Sequence, residues 1–474
     1  MTDDCDLVVI GGGPAGVEAA LASAESGLRT VLVDEAPAAG GQVYRSRPEG
    51  FRGAAVTPEA REGDCLRARL AASAVTTVAD HAVWSVSPGF RVDALGPAGA
   101  RSWRSRAVIA ATGAQERVVP FPGWTEPGVI GLAGATILLK SQHVLPGRRT
   151  LVAGCGPLLL AVAAGLLKAG GEVAAVVDLA SSADWAARLP ALAGRPDLLA
   201  RGAAWLARVK RAGVPILSRH GLLRVESVDG ALRAVVGPVD ADRRPRTGAE
   251  RLFTVDAVAV GHGLTPSGDV TRLLRAEHLF DAERGGWVAR RDLDGRTSLP
   301  GLWVAGDGGG IAGAAAAAID GRLAGLAAAR DLGALSPIDH ERATERLRRR
   351  AGRARRFGTA MAELMALRPA QVEAIPADTV VCRCEDVTRA EIEDAMAHGA
   401  VTANQLKAWT RCGMGPCQGR VCGDVAGALL ARAAGRREDV GSFTGRTPFR
   451  PLSLDALAGD CDYADIALPP PAPL

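Results

Sequence analysis

An α/β fold with two nucleotide-binding-type units and a small helical, sulfur-rich C-terminal module is predicted by three features of this 474-residue chain. A glycine-rich turn lies between two apolar runs near the N-terminus. A second such arrangement begins 143 residues later (154 − 11), and five of the nine cysteines crowd into positions 382 to 422. The length suffices for two or three domains with cores of their own. An apolar content of 48% and 58 glycines suit a globular α/β chain. A net charge of +4 is too balanced to argue for nucleic acid. No apolar run approaches the roughly 20 residues of a membrane-spanning helix. The basic stretch Arg342 to Arg356 reads as the face of a solvated helix or linker rather than a polyanion site.

The N-terminus reads as strand, turn, helix, strand. Leu7 to Ile10 is the first apolar run, Gly11-Gly12-Gly13-Pro14-Ala15-Gly16 the turn, Val17 to Ser26 the helix, and Thr30 to Val33 a second strand ending in Asp34-Glu35. This order suits a dinucleotide. Gly11 permits the tight turn, Gly13 lets backbone approach a pyrophosphate, and Gly16 allows helix and strand to pack closely. The helix start offers free N–H groups and a positive dipole end to the phosphates. Asp34, by its spacing, is expected to accept hydrogen bonds from ribose hydroxyls.

Two further segments point to FAD in this first unit rather than NAD. Thr112-Gly113 follows the strand Ala107 to Ile109, where such proteins pass beside the flavin. Gly306-Asp307 ends another strand, Gly301 to Ala305, ahead of a small-residue helix from Ile311 to Ala329, with the Asp expected on the ribitol chain. The loop Gly40-Gly41-Gln42 lies just past the second strand and is a further candidate contact. The second copy runs from Leu151-Val152-Ala153 through Gly154-Cys155-Gly156-Pro157-Leu158-Leu159 to a helix ending at Lys168, then Val173 to Asp178. Leu159 replaces its third glycine and should push the helix off the strand. Two readings stay open, an NAD or ATP site and an inherited fold element. Asp256 to Gly263 is a strand and turn returning to the first unit, with His262 a structural turn residue.

The cysteines read Cys382-x-Cys384, a 32-residue gap (417 − 384 − 1), then Cys417-x4-Cys422, with Cys412 just upstream. Four sulfurs can converge on one centre from two short loops. The opening residues do not resemble a secretory signal, so reduced thiolates in a cytoplasmic protein are expected rather than disulfides. A module of about 55 residues has little apolar mass and calls for a metal staple. Zinc would accept the same ligands. A [2Fe–2S] cluster is favoured because a redox cofactor upstream needs an electron carrier, and Arg383, Lys407, Arg411 and Arg420 stand ready to offset cluster charge.

The Cys-x-Cys and later Cys pair resemble bacterioferritin-associated ferredoxin modules, which close with Cys-x2-Cys where this chain has Cys-x4-Cys. The segments GGGPAGVEAA, DEAPAAGGQVYR, ATGAQERVVPFPGW, GCGPLLLAVA, AGDGGGIAGA and TRCGMGPCQGRVC resemble the flavoprotein subunits of opine oxidases, D-hydroxyproline dehydrogenase and hydrogen cyanide synthase. The alpha subunit of heterotetrameric sarcosine oxidase is more distantly similar. The similarity covers about residues 5 to 455. It implies a thioredoxin-reductase-like pair of dinucleotide domains with a [2Fe–2S] module. It also implies a division of labour in a cytoplasmic hetero-oligomer. An FAD-containing, oxidase-like partner subunit would dehydrogenate an amino acid, opine or other secondary amine. This chain would pass on the electrons, and a small ferredoxin-like subunit would complete the set. By motif, Gly11, Gly13, Gly16, Asp34, Thr112, Gly113 and Asp307 would hold FAD, flanked by Pro14, Ala15, Glu35, Gly41, Gln42 and Gly306. Cys382, Cys384, Cys417 and Cys422 would hold the cluster, with Cys412 in reserve. No catalytic acid or base is assigned.

The expected limits are 1–122 with 265–335 for the FAD domain, 123–264 for the second nucleotide-type domain, 336–377 for a helical linker, 378–435 for the cluster module, and 436–474 for an extended tail ending in Pro469-Pro470-Pro471. Two rival readings are a self-sufficient NAD(P)H-dependent flavin reductase serving a ferredoxin and a non-catalytic, zinc-stapled assembly protein. A disulfide reductase is disfavoured, because no Cys-x-x-Cys occurs between residues 1 and 381.

Overall fold

The structure is a computed structural model that describes residues 2–47, 50 and 57–458. Strand β1 (Thr2–Ile10) leads into helix α1 (Pro14–Glu25) and strand β2 (Thr30–Val33), and β1 lies parallel between β2 and a later strand, β3 (Gly99–Ala110). Leu7, Val8 and Val9 have no exposed surface. Their unbroken apolar run follows from a parallel sheet covered on both faces. Leu7 and Val9 join the helix side of the core, and Val8 joins the other side with Trp103 and Val108.

The second domain repeats the scheme. Strand β4 (Arg149–Gly154), helix α2 (Leu158–Lys168), strand β5 (Glu172–Asp178) and strand β6 (Ala257–Gly261) build a parallel five-stranded sheet with Ile216–Ser218 and Val129–Gly131 at its edges. An antiparallel three-stranded sheet covers one face, and α2 covers the other. The chain crosses between the domains twice, and the crossings pair as the short strands Ala114–Glu116 and Leu264–Pro266.

Returning to the first domain, the strand Leu302–Val304 joins β3 in parallel and leads to α3 (Ala314–Asp331). A Cβ on Gly321 would lie 1.9 Å from the Ala15 carbonyl oxygen, and one on Gly325 2.4 Å from that of Ala19. The glycine and alanine content of α3 thus lets its backbone rest directly on α1. Helix α4 (Pro337–Leu364) follows, capped by Ser336 on the Asp339 N–H and opened by Pro337. The arginine-rich stretch lies here. Its face is not wholly solvated: Arg348 pairs with Asp294 at 2.8 Å and Arg355 with Asp320 at 2.5 Å.

The C-terminal module is a short hairpin (Val380–Cys382 with Val387–Thr388) and three helices, α5 (Arg389–Ala397), α6 (Ala403–Thr410) and α7 (Gly423–Ala434). Capping boxes of Thr388 with Glu391 and Thr402 with Gln405 start α5 and α6. Val381, Ile392, Leu406, Val425, Leu429 and Leu430 are wholly buried in its core, which also takes in Val119 of the first domain. Past the module the chain runs back over the first sheet, where Phe449 donates its N–H to the Trp84 carbonyl. The expected Pro469–Pro471 end lies outside the described residues.

Candidate functional site

The glycines of the first turn differ in what surrounds them. Gly11 has φ +106°, and a Cβ there would lie 2.4 Å from the Ala111 carbonyl oxygen; one on Gly16 would lie 1.7 Å from that of Gly11. Backbone contact therefore demands glycine at both. Over Gly13 the nearest atom to a Cβ position is Gly41 Cα at 3.8 Å, so the space there is open. Pro14 and Ala15 begin α1, and no side chain caps its free N–H groups. An anion fits that position.

Both acids expected near the cofactor hold backbone in place. Asp34 accepts hydrogen bonds from the Gly12 N–H at 2.5 Å and the Ala36 N–H at 2.8 Å. Asp307 accepts from the N–H groups of Ala312 and Gly313 at 2.8 and 2.9 Å. Burial pushes both carboxyls above their ordinary range, opposed by these bonds. Glu35 is exposed and pairs with Arg450. The loop at 40–42 packs on the turn: Gly40 donates to the Gly12 carbonyl, and Gly41 is left-handed, with its Cβ position 2.8 Å from Gly13 Cα. Gln42 is exposed and accepts from Arg45.

Three segments distant in sequence converge here. The Thr112 hydroxyl donates to the Ser267 carbonyl at 2.6 Å, and Gly113 has φ +68°. A Cβ on Gly308 would lie 3.1 Å from Thr112 Oγ1, and one on Gly306 2.8 Å from Ala15 Cβ. The cradle is lined by backbone and small side chains, as close approach to a flat ring system and a pyrophosphate requires.

The thiols form a triad and a pair. Cys382, Cys412 and Cys422 are buried, with their sulfurs within 4.8 Å of one another. Hydrogen bonds from Cys412 and Cys422 hold Cys382 far below the ordinary thiol range, to about 2, while the two donors are pushed up. Cys384 and Cys417, both half-buried, hydrogen-bond to each other. Of the expected four, Cys382 and Cys422 thus share a sulfur cluster with Cys412, while Cys384 and Cys417 form a separate pair. Two sulfurs for each of two irons is the donor set of a [2Fe–2S] centre. The four expected cations are engaged: Arg411 with Glu385, Arg420 with Asp269, Arg383 over the Trp124 ring and Lys407 over Phe443.

The junction between module and flavin-type domain is built by residues that sequence reasoning did not single out. The Arg117 side chain, 4% exposed, donates to Asp424 at 2.7 Å and to the carbonyls of His262, Met365 and Gly285. Asp424 is two residues past Cys422 and also binds Arg437. Trp124 Nε1 donates to the Val380 carbonyl at 2.7 Å. His262 is half-buried, and desolvation followed by the charges of Arg243 and Arg117 lowers its pKa to about 3. Its Nδ1 lies 3.3 Å from Gln371 Nε2.

Comparison with known proteins agrees with this arrangement. Residues 5–321 match the pyridine nucleotide-disulphide oxidoreductase family, and residues 380–432 match the BFD-like [2Fe-2S] binding domain. An opine oxidase subunit of Agrobacterium tumefaciens, the one designated by the letter A, is 36% identical, over 97% of this chain and 92% of that protein. The chain belongs to this family. Its cofactors are FAD and a [2Fe–2S] cluster. Hydrogen cyanide synthase subunit HcnB of Pseudomonas aeruginosa is equally similar, 36% identical over 95% of this chain and 97% of its own. The crystal structure of L-proline dehydrogenase from P. horikoshii shares the fold with a TM-score of 0.70 at 20% identity, covering 97% of this chain and 81% of that one. Both of these relatives are named as subunits. Among the described residues no helix is long and apolar enough to cross a membrane.

Proposed function

We propose that the chain is the electron-transferring subunit of a cytoplasmic, heteromeric dehydrogenase that oxidises the CH–NH bond of an amino acid, opine or other secondary amine on an oxidase-like partner flavoprotein. A small ferredoxin-like chain completes the complex. The observation that carries this reading is the buried Arg117–Asp424 pair, which ties the sulfur module to the flavin-type domain beside Cys422. Rigid docking of two redox sites is what a relay requires, and an assembly protein stapled by zinc has no need of it.

FAD bound here would accept electrons in pairs and release them singly to iron. The chain's own residues do the rest. Gly11, Gly13 and Gly16 keep the backbone open to a pyrophosphate at the start of α1. Asp34 and Asp307 fix the two loops and would accept hydrogen bonds from ribose and ribitol hydroxyls of FAD, and Thr112-Gly113 would lie beside its ring. Cys382, Cys384, Cys417 and Cys422 would hold the cluster, and Cys412 would hydrogen-bond to the Cys382 sulfur. The domain limits are those given by the sequence.

The test is anaerobic purification of the native complex and dye reduction with opines and other secondary amines. The reading requires an oxidase-like flavoprotein chain to copurify and activity to depend on both chains. Amine oxidation by this chain alone, or zinc in place of iron, contradicts it.

A further inference from the structure

The two glycine loops carry the same first two glycines but differ in backbone at the middle one, φ −70° at Gly13 and +103° at Gly156, and in what lies beside it. Over Gly13 the nearest neighbour of a Cβ position is Gly41 Cα at 3.8 Å; over Gly156 it is Met365 Sδ at 2.4 Å, with Met365 Cγ at 2.9 Å. In loops of this kind, that space belongs to the pyrophosphate. Here a side chain from just past the end of α4 already fills it.

The plug is anchored on three sides. Arg243, a buried residue of the second domain, donates to the carbonyls of Leu364 and Ala366. Arg117, from the first, donates to the Met365 carbonyl at 3.0 Å. The Cys155 thiol, inside the loop itself, donates to the Leu364 carbonyl at 3.3 Å. Ala360, Met361, Leu364 and Met365 share one buried cluster with Cys155, Leu179 and Ala180 of the nucleotide-type domain. Asp178, placed where an acid would meet a ribose, accepts from the Ala180 N–H at 2.9 Å, as Asp34 does from Ala36, but its other oxygen is taken by Trp185 Nε1 at 3.0 Å.

We propose that the end of α4 is a resident occupant of the second nucleotide site, and that Met365, filling the pyrophosphate position, prevents NADH, NADPH or ATP from binding there. A chain closed in this way takes its electrons from elsewhere, and its second domain is a scaffold that holds α4 against the first domain and the cluster module. The inference stands on the steric contact alone and does not depend on the amine-oxidising partner.

The experiment is equilibrium binding of NADH and NADPH to the full-length, FAD-loaded protein, with flavin absorbance reporting that each preparation is folded. The wild type is expected to bind neither nucleotide saturably, and Met365→Gly to gain binding at least about tenfold tighter. Met365→Ala serves if the glycine variant is unstable. Saturable binding by the wild type that is lost in Gly156→Val overturns the proposal. So does a folded Met365→Gly or Met365→Ala protein that binds no better than the wild type.

Discussion

Arg117 sets one buried guanidinium against the Asp424 carboxylate and three carbonyls from three stretches of chain. Lysine cannot reproduce that planar fork. Removing it leaves Asp424 with Arg437 as its one remaining charged partner and takes a donor from three carbonyls. Arg117→Ala is therefore expected to lower stability by about 3 kcal/mol, measured by urea unfolding, and to make the cysteine module the first region cut in limited proteolysis. The thiols give a second residue-scale prediction. Cys417→Ser should lose the visible absorption and iron of the cluster, while Cys412→Ser should keep both; the reverse pattern would move the fourth ligand to Cys412. The crowding of five cysteines between 382 and 422 was readable because cysteines in two short loops are a local signal, whereas the placing of Cys412 with Cys382 and Cys422 was not. Arg117 was not readable as a site: its partner lies 307 positions away, and no periodicity links them.

At the scale of elements, turns and caps were the legible part. The box of Thr388 and Glu391 starts α5 as read from its spacing. The helix expected from Ile311 instead begins at Ala314. Asp307 draws the N–H groups of Ala312 and Gly313 to itself, and Gly313 is left-handed with φ +83°. The arginines of α4 were legible as a helix face but not as partners of Asp294 and Asp320, which only the tertiary fold brings near. A pH prediction belongs here. Glu116 ends the short strand between domains and accepts from the N–H groups that open the helix Leu132–Ile137, including Ala133 at 2.8 Å. Burial outweighs those bonds and raises its pKa from 4.5 to about 7. The folded state then holds a proton that the unfolded chain releases first. Its contribution is complete below pH 4.5 and is lost as pH rises through 7. Glu116→Gln should accordingly gain about 3 kcal/mol relative to wild type between pH 4 and pH 8, read from urea midpoints at the two pH values. An unchanged difference between the proteins would show that folding does not raise the Glu116 pKa.

Across the whole molecule, the sequence pattern anticipated two glycine-loop domains and a module with its own cysteines, because each repeats a local grammar of strand, turn and helix. It left the second loop with two readings. Leu159, expected to push α2 away from the strand, is buried in the core of that domain, and the closing group proved to be Met365, 209 positions (365 − 156) beyond Gly156. What the assembled fold adds is a direction: an open cradle in the first domain, a filled one in the second, and a cluster module clamped to the first by Arg117 and to the second through Trp124. The central claim is that flavin and iron on this one chain exchange electrons. Its most direct test is anaerobic reduction of the iron-loaded native complex by an amine substrate, followed by visible absorption and electron paramagnetic resonance together. The account predicts that flavin bleaching is followed by the signal of a reduced [2Fe–2S] centre, and that this signal is absent from protein stripped of FAD. A chain without iron, or a flavin that bleaches fully while the cluster stays oxidised, would contradict it.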